Sequence, residues 1–86
     1  MDEHIRARRE RRMEFLRQLY RRVDGNVSEF VSAHEIAVEL GADKEESRRI
    51  FEYWEEKGLL KVDDHREGIV RITAAGIDEV ETHLLG

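Results

Sequence analysis

The chain of 86 residues has room for one domain with a modest core, and little beyond that for an elaborate catalytic cavity. Charged residues make up 41% and hydrophobic residues 40%, and no apolar run approaches the roughly 18 residues of a membrane span. There is no Cys, which excludes disulfides and thiolate metal sites and makes a reducing cytoplasm the expected compartment.

The opening MDEHIRARRERR has no apolar signal core. It begins a helix expected from about Asp2 to Val23, with Met13, Leu16, Tyr20 and Val23 at helical spacing and Phe15 and Leu19 beside them. Between Asp2 and Arg12 only Ile5 and Ala7 are apolar, so residues 1–12 are expected to be an exposed, frayed basic extension. The net charge of −5 conceals an asymmetry. Residues 1–23 carry eight Arg against Asp2, Glu3, Glu10 and Glu14, a balance of +4, which leaves −9 on residues 24–86.

Asp24-Gly25-Asn26 stops the first helix, and Glu29-Phe30-Val31 is long enough only for a strand stub. Ser32 and Glu35 then form a capping-box pattern, with Val31 and Ile36 placed as a hydrophobic staple, for a helix over 32–40 that ends at Gly41. Asp43 and Glu46 repeat the capping box for a second helix over 43–57, with Ser47, Ile50 and Trp54 as its buried face and Gly58 as its stop. Phe51 and Tyr53 flank that face, and one of them is expected at the surface. Leu59–Val62 and Ile69–Ile72 read as the two strands of a hairpin. Thr73 caps a last helix whose inner face is Ile77, Val80 and Leu84.

This order resembles the winged helix-turn-helix superfamily. The likeness is carried by Ser32 to Gly41, by the helix ending Trp54-Glu55-Glu56-Lys57-Gly58-Leu59-Leu60, and by the run Ile72-Thr73-Ala74-Ala75-Gly76-Ile77-Asp78. The resemblance implies a mostly α fold with a small β-hairpin: a long N-terminal helix, helix-turn-helix, two-stranded wing and C-terminal helix in one domain over 1–86. It also implies double-stranded DNA as partner and a transcriptional-regulator-like role. On that reading Lys44, Arg48 and Arg49 of the second motif helix act with Arg66 of the wing, neutralising phosphates or reading a base edge. The departure is acidic: Glu45 and Glu52 stand among these cations, and Asp63, Asp64 and Glu67 surround Arg66.

A second function class fits the charges as well, a winged helix used as a protein-interaction or dimerisation module without DNA binding. Arg6, Arg8, Arg9 and Arg12, with Arg11 between them, are candidates for a phosphate-tracking arm or for a subunit contact. A +4 helix and a −9 body predict a homodimer through Met13, Phe15 or Tyr20 with arginines at the rim. His4, His34, His65 and His83 match no metal-ligand spacing, the carboxylates stand beside no nucleophile, and the glycines read as isolated stops and turns. No enzyme activity, metal, cofactor or small-molecule substrate is therefore expected.

Overall fold

In the computed structural model, which describes residues 2–85, helix α1 (Asp2–Val23) is followed by a two-residue strand, β1 (Val31–Ser32). Then come α2 (Ala33–Glu39), α3 (Lys44–Glu56), β2 (Leu60–Asp64) and β3 (Ile69–Ile72). A short α4 (Ala74–Glu79) runs on into a π-helical turn (Val80–Leu84) closed by Leu85 N–H donating to Val80 O at 2.8 Å. The chain is thus mostly helical with a small antiparallel sheet. Among the described residues no helix is long and apolar enough to cross a membrane.

The sheet has three strands in the order β1-β3-β2: the stub expected at Glu29-Phe30-Val31 lies at Val31–Ser32 and joins the expected hairpin along β3. Val31 pairs with Val70 and Ser32 with Ile69, and both valines are buried. Ala33 N–H adds a 2.7 Å bond to Gly68 O. Ser32 therefore serves twice, as a strand residue through its backbone and as a helix cap through its side chain, which accepts from Glu35 N–H at 3.3 Å. Asp43 caps α3 in the same way, accepting from Glu46 N–H at 2.8 Å. Both capping boxes are used only in this direction. The Glu46 carboxylate instead takes Arg11 Nε at 2.5 Å, and the Glu35 carboxylate lies 3.9 Å from Arg22. The first turn of α3 is acidic partly because one of its acids holds α1.

Helix α1 is continuous from Asp2, and most side chains of residues 2–12 are exposed as anticipated. Its buried stripe is Phe15, Leu16, Leu19 and Val23, with Met13 and Tyr20 half-buried at its sides. The expected stripe was thus rotated by part of a turn. Met13 and Tyr20 carry the right spacing, but the body meets α1 on the Phe15–Leu19 side. Tyr20 uses its position at the margin, donating through its hydroxyl to Glu81 at 2.6 Å, a bond that raises its pKa. Arg17 reaches past it to donate to Leu84 O at 2.8 Å, which satisfies a carbonyl that the π-helical turn leaves open.

The core joins all these elements. Ile36 of α2, Ile50, Phe51 and Trp54 of α3, Leu60, Val70 and Ile72 of the sheet, and Val80 close over the α1 stripe. Leu40, expected on the apolar face of α2 beside Ile36, and Ile77 of the last helix are only half-buried, packed against the cluster from outside. Phe51 is fully buried and Tyr53 is the surface aromatic of the pair. Trp54 keeps its polar edge satisfied in this apolar setting, its indole N–H donating to Arg12 O at 3.0 Å.

Gly76 departs from the expectation of a stop or turn. It lies buried inside the first turn of α4, where a Cβ would stand 2.0 Å from Leu59 O and 2.8 Å from Ile72 Cγ1. It is a contact point between helix and chain.

Candidate functional site

The buried face of α3, Ser47, Ile50, Phe51 and Trp54, divides its exposed surface into an outer ridge and two flanks. One flank looks toward the hairpin turn at residues 65–68. Glu55 lies 3.3 Å from His65 there, and Lys44 and Arg48 are near enough to act on His34. The other flank looks toward α1. Glu46 is bound by Arg11, and the Arg12 guanidinium lies over the Tyr53 ring at 4.4 Å from its centroid. The outer ridge is acidic, with Glu45, Glu52 and Glu56 exposed at helical spacing.

This geometry splits the residues predicted as a single DNA-contacting group. Lys44 and Arg48 share a shallow surface depression with Glu45. Arg49 sits with Arg8, Arg12 and Tyr53 on the opposite flank, and it is bridged to Glu45 at 3.1 Å. Arg66 stands exposed in the hairpin turn, whose backbone is held by Asp64 accepting from the N–H groups of Arg66 and Glu67, each at 3.0 Å. Asp64 thus shapes the turn, and Asp63 is occupied by Arg71 at 2.9 Å. Neither acid was explained by the sequence, because each partner comes from the fold of the hairpin.

The hairpin turn is seated against the start of α3 by His34. Its Nδ1 lies 2.8 Å from the hydroxyl of Ser47, which is fully buried, and its Nε2 is buried without a hydrogen-bond partner. Gly68 packs on the same ring: a Cβ there would come within 2.7 Å of His34 Nε2, and its φ of +70° favours glycine. Burial of the ring, helped by the charges of Lys44 and Arg48 and opposed by Glu67, pushes the His34 pKa below 6.5. The sequence had marked His34 only as one of four scattered histidines.

A pH effect with a defined sign follows. Protonation would place a second N–H, now charged, where Nε2 finds no acceptor. The folded pKa lies below the unfolded one, so the unfolded chain binds the extra proton first. The contribution of His34 is therefore intact above about pH 6.5 and is lost as the pH falls from there through the depressed folded pKa. Urea unfolding between pH 7.5 and 5 is expected to show a steeper fall in midpoint for the native chain than for His34→Gln. Parallel curves would remove His34 as the titrating group.

The arginines of α1 divide in the same physical way. Those in its C-terminal half are engaged within the chain: Arg17 and Arg21 with Glu14, and Arg22 with Glu35 and Glu39. The Glu14 carboxyl is held below its ordinary pKa by hydrogen bonds from Gln18 and Arg17. In the N-terminal half Arg11 is paired with Glu46, whereas Arg6, Arg8, Arg9 and Arg12 form no ion pair among the described residues. Counter-charges expected from a second copy are therefore partly supplied within one chain. Phe15 also leaves the expected dimer contact, because it has no exposed surface. Met13 and Tyr20 keep some.

Among the described residues no cluster of three His, Asp or Glu could hold a metal ion. The chain matches no protein-family model and shows no significant likeness to a curated protein or a solved structure. What these surfaces bind has to follow from their charges and neighbours alone.

Proposed function

We propose that the chain is a DNA-binding winged-helix protein with a transcriptional-regulator-like role. In this reading α3 is the recognition helix and the β2–β3 hairpin is the wing. The observation that carries it is which cations remain free. Arg11, Arg17, Arg21, Arg22, Arg49 and Arg71 are engaged with carboxylates of the same chain. Lys44 and Arg48 on the flank facing the hairpin, and Arg66 in the hairpin turn, form no ion pair among the described residues. Free charges held beside each other on a helix start and a neighbouring turn suit two successive phosphates, whereas Arg49 has a smaller share because it stands on the opposite flank, away from the hairpin. Arg6, Arg8 and Arg9 add an exposed positive arm that raises the encounter rate.

The test is a titration of random duplex at several salt concentrations, followed by Lys44→Ala with Arg48→Ala. Each lost phosphate contact lowers the magnitude of the log–log salt slope by roughly 0.9, so the pair should lower it by about two. Arg49→Ala is expected to change it less. Binding absent at low salt, or a slope untouched by the double substitution, would remove the DNA reading.

One observation favours a second reading, a protein-interaction module. Glu52 and Glu56 on the outer ridge of α3 form no ion pair among the described residues and point where a DNA duplex would repel them. They suit a basic surface, such as the arginine-bearing half of α1 in a second copy. Sedimentation at low and high salt separates the two. A homodimer that weakens with salt and is lost in Glu52→Gln with Glu56→Gln supports the second reading, and a monomer throughout sinks it.

A further inference from the structure

The flank of α3 that faces α1 holds a concavity of about 220 Å³, lined by Arg8, Arg12, Glu46, Arg49, Ile50 and Tyr53. We propose that this cleft binds a small organic anion, an apolar body bearing a phosphate or carboxylate group. It lies on the side of α3 opposite Lys44 and Arg48, and it does not rest on the DNA reading.

Three arginines line one small space with a single acidic residue among them. That carboxylate, Glu46, is already neutralised by Arg11 at 2.5 Å. Arg49 has a carboxylate partner in Glu45, but both are largely exposed, so that bond is screened and easily exchanged. Arg8 and Arg12 have none among the described residues. Like charges brought together on a protein surface repel each other, and an anion between them relieves that repulsion. Arginine is also the side chain best suited to grip the two oxygens of a phosphate or carboxylate, because its N–H groups form a planar fork.

The wall of the cleft is fixed in advance. Trp54 N–H holds the α1 backbone at Arg12 O, the Arg11–Glu46 pair clamps the same two helices, and Tyr53 holds Arg12 over its ring. The Tyr53 ring stands edge-on to Trp54 at 4.9 Å, which limits its own rotation. A donor held in advance, as Arg12 is, costs little ordering on binding. Ile50 and Tyr53 give the cleft an apolar floor. A bare inorganic ion would leave that floor wet, whereas a ligand with an apolar body covers it. The combination of apolar floor and few convergent polar groups is what small-molecule sites generally share.

Phenyl phosphate is a suitable probe, titrated into the full chain and followed by backbone amide shifts. Saturable shifts are expected at Arg12, Ile50 and Tyr53. Affinity should fall at least about tenfold in Arg8→Gln with Arg49→Gln, since each removes charged hydrogen bonds to the ligand. Lys44→Ala with Arg48→Ala should leave it unchanged, and circular dichroism of both variants should match the native chain. Inorganic phosphate should bind at least about tenfold more weakly, because it covers no apolar floor. The proposal is overturned by shifts that do not saturate, by undiminished affinity in the arginine variant, or by inorganic phosphate binding as tightly. A short duplex that moves the cleft residues while leaving Lys44, Arg48 and Arg66 unmoved would also overturn it, by making the cleft a backbone-phosphate contact.

Discussion

Gly76→Ala is expected to destabilise the chain by at least about 3 kcal/mol, the upper end of what overpacking a core usually costs. The helical propensity of alanine works the other way, by about 1 kcal/mol. The contact decides the sign, because the added methyl would meet Leu59 O at 2.0 Å, and that atom is backbone. Nor can Leu59 O move freely, since it accepts from Thr73 N–H at 3.1 Å. Thr73 is itself fixed, donating its hydroxyl to Gly58 O at 2.7 Å and accepting from Gly76 N–H at 3.0 Å. The methyl would have to push apart the joint where the end of α3, the start of β2 and the start of α4 meet. For a domain of this size the melting temperature should fall by roughly 12 °C or more. A thermal melt within a degree or two of the native chain would show that α4 can slide on Leu59 without loss.

Phe51→Ala should cost about 3–5 kcal/mol, a large share of the roughly 5–15 kcal/mol that holds a typical domain together. Phe51 is fully buried and stands between two histidine rings, 6.1 Å from His34 and 6.3 Å from His65. Emptying its place therefore unseats the hairpin turn from both helices of the α2–α3 pair. Tyr53, two residues on, is the control. It is partly exposed and contributes a cation–π contact with Arg12 and an edge-on contact with Trp54, so Tyr53→Ala should cost about 1–2 kcal/mol, less than Phe51→Ala. Urea unfolding of both variants, with Phe51→Leu as a milder step, checks the order. Equal losses at 51 and 53 would mean that α3 is rotated from the register described.

How much of this was legible in the sequence depends on how local each cause is. The bounds of α2 and α3 were readable because Ser32 and Asp43 cap their own helices through bonds to residues three places on. The buried face of α3 was readable for the same reason, since Ser47, Ile50 and Trp54 recur at helical spacing. Phe51 was ambiguous because it lies at the edge of that stripe, and only the neighbouring hairpin turn closes over it. The rotation of α1 depended on which side the body offered, and two apolar faces of similar strength gave no means of choosing. The strand stub before α2 was readable, but its pairing with β3 is long-range, and no local pattern announces that.

At the candidate site the residue types were legible and their grouping was not. Lys44, Arg48 and Arg49 look alike along the helix, yet α1 approaches one flank of α3 and takes Arg49 with it. Of the acids that stood against nucleic acid, three have partners inside the chain: Arg49 for Glu45, Arg71 for Asp63, and the N–H groups of Arg66 and Glu67 for Asp64. Glu46, expected only as half of a capping box, has Arg11. Partners separated by tens of residues, as Arg11 and Glu46 are, leave no trace in the spacing of either.

The hydrogen bond from Trp54 to Arg12 O has an optical consequence. The chain carries one tryptophan, and its indole sits on the seam between α1 and α3 with little exposure to water. Its fluorescence therefore reports on that seam, as well as on unfolding of the core. If the N-terminal half of α1 lifts away, the indole loses its carbonyl partner and meets solvent, and the emission moves to longer wavelength. Circular dichroism at the same moment would lose only the helix contributed by those first turns. Undocking of the arginine-bearing segment can thus be separated from global unfolding, with no label added to the chain.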